Sequence, residues 1–219
     1  FIQHNNRHFD LIVGDVMGKG VPAALLGAAT KSIFSRGINS IMCSSNVTSL
    51  PTPEEIVMFA QGEMGRHLVG LKRFATICYA RFDLENFRAD LVDCGHTPTI
   101  HYKKKKGACD LIKGDNMPLG FHEEEIYKQF SISLEPNDVL LFYSDGLVEA
   151  KNPEGDMFGL ERAQQLIIDN AGSSPKDVVD TICADLSAFT GSAHFSDDLT
   201  CVVVSIEDPK EYKLLERGE

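Results

Sequence analysis

The middle third of the chain changes its hydrophobic period, and this restricts the fold more than any other feature. Phe74–Phe82, Arg88–Asp93, Thr99–Tyr102, Ile126–Leu134 and Val139–Tyr143 are short runs rich in β-branched and aromatic residues, the pattern of strands. Turn signals separate them at Glu85-Asn86, Gly95, Lys106-Gly107 and Pro136-Asn137-Asp138. They read as an antiparallel meander. Residues 9–16 predict a further buried strand, and Leu199–Ile206 a closing one. The flanks follow helical spacing instead. Leu25, Ala29 and Ile33 recur at i, i+4 and i+8 within 21–36, with Pro22 in the first turn and Gly37 as a stop. Residues 38–52 read as a polar loop. Thr52-Pro53-Glu54-Glu55 is a capping box that opens a helix to about Leu68, with Ile56, Ala60 and Met64 on one side. Two more helices are expected near Leu160–Asn170 and Pro175–Phe189. The second is capped by Ser174 and striped by Val178, Ile182, Leu186 and Phe189. Segregated helices and antiparallel strands predict an α+β architecture, with sheets packed together and helices outside. No repeat or linker interrupts the 219 residues. One domain over 1–219 is expected, with 207–219 a fraying charged tail.

Charge excludes some functions. Lys and Arg total 21 against 32 Asp and Glu, a formal net charge of −11. Nucleic-acid binding would call for a basic face, whereas this balance suits carboxylates gathered around cations. The six cysteines form no CxxC and sit mostly in apolar stretches, as buried, reduced residues do. No signal peptide and no apolar run of about 18 residues is present, so a cytoplasmic location without membrane insertion is expected. Phe1 is not an initiator Met, so preceding sequence is expected.

Three stretches place Asp where an apolar strand meets a turn: Gly14-Asp15-Val16-Met17-Gly18-Lys19-Gly20, Tyr143-Ser144-Asp145-Gly146 and Ser196-Asp197-Asp198-Leu199-Thr200. One such Asp is an ordinary turn residue. Three carboxylates at strand ends repel one another unless a cation neutralises them, and hard Mg²⁺ or Mn²⁺ takes oxygen ligands of this kind. The first stretch is not a phosphate loop. Only three residues separate Gly14 from Gly18, and Gly20 follows Lys19 where Ser or Thr would hold Mg²⁺.

These residues resemble the metal-dependent protein phosphatase (PPM) superfamily, specifically its SpoIIE/RsbU type of bacterial Ser/Thr phosphatase. The likeness is carried by Gly-Asp-Val-Met-Gly-Lys-Gly-Val-Pro-Ala-Ala at 14–24, Leu-Phe-Tyr-Ser-Asp-Gly-Leu-Val-Glu-Ala at 141–150 and Asp-Asp-Leu-Thr at 197–200. Phe74-Ala75-Thr76, Cys94-Gly95-His96-Thr97-Pro98, Pro118-Leu119-Gly120 and Phe158-Gly159 support it. The match runs over about residues 9–206. The resemblance implies a four-layer αββα sandwich, two antiparallel sheets flanked by helices. It implies two divalent ions, Mn²⁺ or Mg²⁺, with bridging water attacking phosphorus. Asp15 would bridge both ions, the Val16 backbone carbonyl would ligate one, and Asp145 and Asp197 would hold the other, with Asp198 supporting them or serving as an alternative ligand. A further metal-binding Asp of the family, in a Gly-Gly-Asp motif on the preceding strand, would fall before Phe1. Asp10 is too close to Asp15 to replace it.

The resemblance also implies the substrate: a phosphoserine or phosphothreonine protein, an anti-anti-sigma (STAS) factor in a partner-switching pathway. An attached upstream sensor or receiver domain and a homodimer are expected on the same ground. A pseudophosphatase that binds without turnover is the alternative, prompted by the missing upstream Asp. Lys19 is a candidate for substrate phosphate or a solvated lysine. His96 reads as structural, and Thr76 as either packed or hydrogen-bonded near the site. Lys103–Lys106 reads as a solvated hairpin tip, and Asn46-Val47-Thr48 as a glycosylation pattern without meaning inside a cell. Glu149 would point away from Asp145 if the segment stays extended.

Overall fold

A computed structural model describes residues 1–44, 50–191 and 197–208. Asn46-Val47-Thr48, Ser196 and the tail from 209 onward lie outside the described residues. In chain order the elements are β1 (Ile2–Gln3), β2 (His8–Val16), α1 (Val21–Ser44), α2 (Pro53–Gly70), β3 (Ala75–Asp83), β4 (Arg88–Cys94), β5 (Thr99–Lys103), β6 (Ala108–Ile112), β7 (Phe130–Ser133), β8 (Val139–Tyr143), α3 (Asp145–Val148), α4 (Leu160–Asn170), α5 (Pro175–Thr190) and β9 (Cys201–Ser205). They fall into two compact units, Phe1–His96 with Gly114–Ser133, and Thr97–Lys113 with Leu134–Glu219.

The first unit is a five-stranded antiparallel sheet in the order β1-β2-β3-β4-β7, with α1 and α2 on one face. Phe34 and Ile38 of α1, Ile56, Val57, Ala60 and Leu68 of α2, and Ile77, Tyr79 and Val92 of the sheet form its core. Each large side chain so buried stabilises the fold by roughly 1.5–3 kcal/mol. The capping box is present as expected. Glu55 N donates to Thr52 Oγ1 at 3.2 Å and Thr52 N to the Glu55 carboxylate at 2.7 Å. Gly37 is not a stop. The helix runs through it to Ser44, correcting the polar loop expected from residue 38. A Cβ on Gly37 would lie 2.8 Å from the Phe59 ring. The glycine therefore permits close approach of the two helices, and Ile38 beyond it is buried.

The second unit holds a four-stranded sheet, β6-β5-β8-β9, also antiparallel throughout. All five residues of β8 are buried. Ala163 and Ile167 of α4 and Val178, Ile182 and Leu186 of α5 pack with Ile100, Leu141 and Tyr143. Ser174 caps α5 through Asp177 N at 3.2 Å. The expected meander is corrected here, since β4 and β5 are consecutive yet belong to different sheets. Each unit thus supplies one antiparallel sheet and one helical layer. Among the described residues, no helix is long and apolar enough to cross a membrane.

Candidate functional site

Asp15 is the penultimate residue of β2, paired across the ladder with Thr76. Directly opposed residues of an antiparallel pair share a face, so both side chains stand with Leu11 and Val13, on the face turned away from Ile12, Ile77 and Tyr79. Those three pack with α1 and α2. Asp15 is exposed and Thr76 half-buried. Thr76 Oγ1 lies 3.0 Å from His96 Nδ1, and the buried His96 also donates its backbone N–H to Asp93 Oδ1 at 2.8 Å. His96 is thus built into the sheet end, bonded to Thr76, the residue opposite Asp15.

The chain then turns sharply. Met17 N donates to Phe74 O at 3.0 Å, and Arg73 Nη1 donates to Met17 O at 2.6 Å. Gly18 and Gly20 take φ of +118° and +74°, conformations that L side chains rarely adopt. Lys19 between them is exposed. α1 begins at Val21.

Asp10 lies on the other face of β2 and does different work. It is fully buried. Arg81 Nε and Nη2 donate to its two oxygens at 2.6 and 2.7 Å, His4 Nε2 stands 2.6 Å away, and Tyr79 donates its hydroxyl. Burial pushes its carboxyl up, but the Arg81 hydrogen bonds and charge, with Tyr79 and His4, outweigh that and hold it below the ordinary value. Arg81 Nη1 also reaches Pro51 O, just ahead of α2. Asp10 is a structural anion already neutralised by protein.

In the second unit, β8 delivers Ser144, the N-cap of the short helix α3, and then Asp145. The helical turn was not visible in the sequence, and it corrects the premise that the segment stays extended. Glu149 caps its end and is exposed. Ser144 ties this turn to the segment before β9. Its hydroxyl donates to Asp198 O at 3.0 Å and accepts from Thr200 N at 2.9 Å, while its own N–H donates to Thr200 O at 3.0 Å. Gly146 tightens the junction, since a Cβ there would lie 2.4 Å from Asp198 O. Asp145 and the Asp197-Asp198 pair are therefore carried by segments in contact. Asp198 uses its backbone carbonyl in the lock, and its N–H donates to Asp197 Oδ1 at 3.1 Å. Asp145 is half-buried, Asp197 and Asp198 exposed.

Sequence reasoning missed Arg73, and it named Ser144 and Thr97 only within motifs without their roles; the Thr97 hydroxyl donates to Tyr143 O. Their partners are backbone atoms of other segments, which no side-chain motif encodes. The lysine run is as expected a hairpin tip, its charge balanced by Lys103 and Lys106 to Asp110 at 3.1 and 3.0 Å and by Lys105 to Glu135 at 2.9 Å. Burial pushes the Cys109 thiol up to about 11 and Cys201 to about 12, so both are inert at neutral pH.

The donors fit a hard divalent ion in kind, being carboxylates at exposed or half-exposed strand ends. Among the described residues no group of three or more His, Cys, Asp or Glu side chains is gathered to hold a metal. Mg²⁺ needs fewer, because it keeps several waters and commonly uses one or two carboxylates with substrate phosphate.

A family model described as Stage II sporulation protein E (SpoIIE) matches residues 5–207. The chain belongs to the SpoIIE family. Its relatives include phosphoserine phosphatase RsbU of Bacillus subtilis (strain 168), 26% identical over 206 residues, 91% of this chain and 56% of that protein. This SpoIIE-family chain spans about half the length of the curated relatives it matches. Among solved structures, the SiaA-PP2C domain of Pseudomonas aeruginosa superposes with a TM-score of 0.78 at 18% identity, covering 93% of this chain and 78% of that one. RsbX, solved in complex with magnesium, gives 0.61 at 20% identity, covering 94% and 84%. The fold of the SpoIIE-family chain is that of the PP2C phosphatase domains, as the sequence resemblance implied.

Proposed function

We propose that the protein is a divalent-metal-dependent phosphatase acting on phosphoserine or phosphothreonine in a protein. The observation that carries this reading is the Ser144 lock. It fixes Asp145 beside the Asp197-Asp198 segment, with Gly146 held to a hydrogen side chain by the Asp198 carbonyl. RsbU is named a phosphoserine phosphatase, and RsbX of the same fold binds magnesium. Both support the reading.

The proposed ligands are Asp15 and the Val16 carbonyl from the first unit, with Asp145 and Asp197 from the second and Asp198 as support or alternative. Two ions are proposed, Mn²⁺ or Mg²⁺. Bound there, the ions supply a polarised phosphoryl oxygen and a water of lowered pKa. The chain's own residues orient and exclude. Ser144 and Gly146 hold the Asp145 carboxylate in place, Thr76 and His96 brace the strand end opposite Asp15, and Lys19 offers an ammonium to the substrate phosphate. No side chain acts as nucleophile.

The substrate proposed is a STAS-type anti-anti-sigma factor, in a cytoplasmic partner-switching pathway, with an upstream sensor or receiver domain and a homodimeric state in the whole protein. One observation favours a second reading, a pseudophosphatase that binds phosphoprotein without turnover: no three metal-ligating side chains are gathered among the described residues. The test is phosphate release from a phosphoserine peptide during a Mn²⁺ titration, with Asp145→Asn as control. Metal-dependent release lost in the control is the expected result. No release at millimolar Mn²⁺ transfers the assignment to the pseudophosphatase, and full activity in the control overturns the ligand set.

A further inference from the structure

We infer that Arg73 is a positioning residue for the turn that presents Asp15 and the Val16 carbonyl, an inference that rests on the phosphatase reading above. Arg73 lies in the connection from α2 to β3, and its backbone is fixed there by Arg73 N donating to Leu68 O at 2.9 Å. Its side chain crosses to the turn between β2 and α1, where Nη1 donates to Met17 O at 2.6 Å. The guanidinium occupies space that only glycine leaves open. A Cβ on Gly18 would fall on top of Nη1 and 2.9 Å from Cζ. An absent side chain and a present cation thus fit one another, two and three residues past Asp15.

The consequence for the ligands follows from peptide planarity. The Val16 carbonyl and the Met17 N–H belong to one rigid trans plane and point in opposite directions. The N–H is committed to Phe74 O at 3.0 Å, so the Val16 carbonyl is aimed away from β3. Arg73 holds the next plane by its carbonyl. Both backbone polar groups of Met17 are therefore tied to consecutive residues, 73 and 74, in a turn whose residues 17–20 are all exposed and have no core to hold them. Without the guanidinium the second plane is free to rotate, and the direction of the carbonyl at 16 rests on the Met17–Phe74 bond alone.

The test is Mn²⁺ affinity, read from the rise in melting temperature of the full-length protein during a Mn²⁺ titration, with turnover not required. Groups that orient metal ligands typically cost about 10–100-fold in metal affinity when removed. Arg73→Ala should raise the half-saturating Mn²⁺ concentration by that factor while leaving the metal-free melting temperature nearly unchanged. Arg73→Lys should fall between, because an ammonium can donate to Met17 O but cannot lie flat in the Gly18 notch. Gly18→Ala should weaken binding in the native background and add less in the Arg73→Ala background, since the collision partner is gone. A wild-type midpoint in Arg73→Ala, or strict additivity with Gly18→Ala, overturns the inference. If Arg73→Ala does not fold, a wild-type midpoint in Arg73→Lys overturns it instead. No Mn²⁺ response in the wild type overturns the phosphatase reading itself, a separate failure.

Discussion

Asp10 and Asp15 sit five residues apart on β2 and share nothing else. Asp10 is buried on the helix-covered face, where Arg81, Tyr79 and His4 complete its hydrogen bonding. Asp15 is exposed on the opposite face, at the point where the strand gives way to a glycine turn. An odd spacing along a strand inverts the face, and here it separates a buried, hydrogen-bonded carboxylate from an exposed one proposed as a metal ligand. Net charge cannot make that distinction, nor can the identity of the residue.

Asp15→Asn breaks the comparison most severely. Phosphate release should fall by at least about a hundredfold, because metal-assisted charge stabilisation is worth several kcal/mol. The metal-free melting temperature should not move, since the side chain is exposed; a large fall in stability would show that Asp15 is structural too. Arg81→Ala tests the other partner. It leaves Asp10 buried without its compensating cation, and breaking such a pair costs about 3–5 kcal/mol, measurable by urea unfolding. The variant fails to support the reading if its midpoint matches wild type.

Acid titration sharpens the contrast. The folded-state carboxyl of Asp10 is held below its ordinary value of 3.8, so the stability it contributes is fully present above that pH. It is lost as pH falls below 3.8 through the depressed folded value, because the unfolded chain takes up the proton first. Asp10→Asn should flatten this part of the stability curve below pH 3.8, on the order of one proton's worth, whereas Asp15→Asn should leave it alone. The smallest effect belongs to Lys103→Ala. Lys106 holds the same Asp110, and exposed pairs contribute about 0–1 kcal/mol. Unfolding midpoint and turnover should both stay at wild-type values.

What the sequence disclosed follows the same division between local and distant causes. The capping box at Thr52, the helix Leu160–Asn170 and the strand Val139–Tyr143 are written in contiguous residues and appear where expected. The acids at 15, 145 and 197 were legible because apolar strand patterns end beside them. Gly37 misled because a glycine that stops a helix and one that lets two helices touch look alike until Phe59 is in place. β6 was missed because Ala108–Ile112 is an edge strand with half-exposed residues, lacking a buried alternation. The run expected from Ile126 to Leu134 shortened to Phe130–Ser133, since Tyr127 anchors a loop: its hydroxyl donates to Pro118 O at 3.2 Å. The contacts that hold the candidate site, from Ser144 to Asp198 and from Arg73 to Met17, end on backbone carbonyls. Such partners carry no signature in residue type.

The strand β8 is flanked by β5 on one side and β9 on the other, and every residue of it is buried. Its amide protons should therefore be among the last in the second unit to exchange with deuterium, opening only when the whole unit opens. Asp145 follows just past its end, next to the part of the second unit expected to open last. The turn after Asp15 is held by the ladder to β3 and by Arg73 on the Met17 carbonyl, without a buried strand beneath it. Exchange should be faster in the glycine turn, whose residues 17–20 are exposed, than in the strand that carries Asp145.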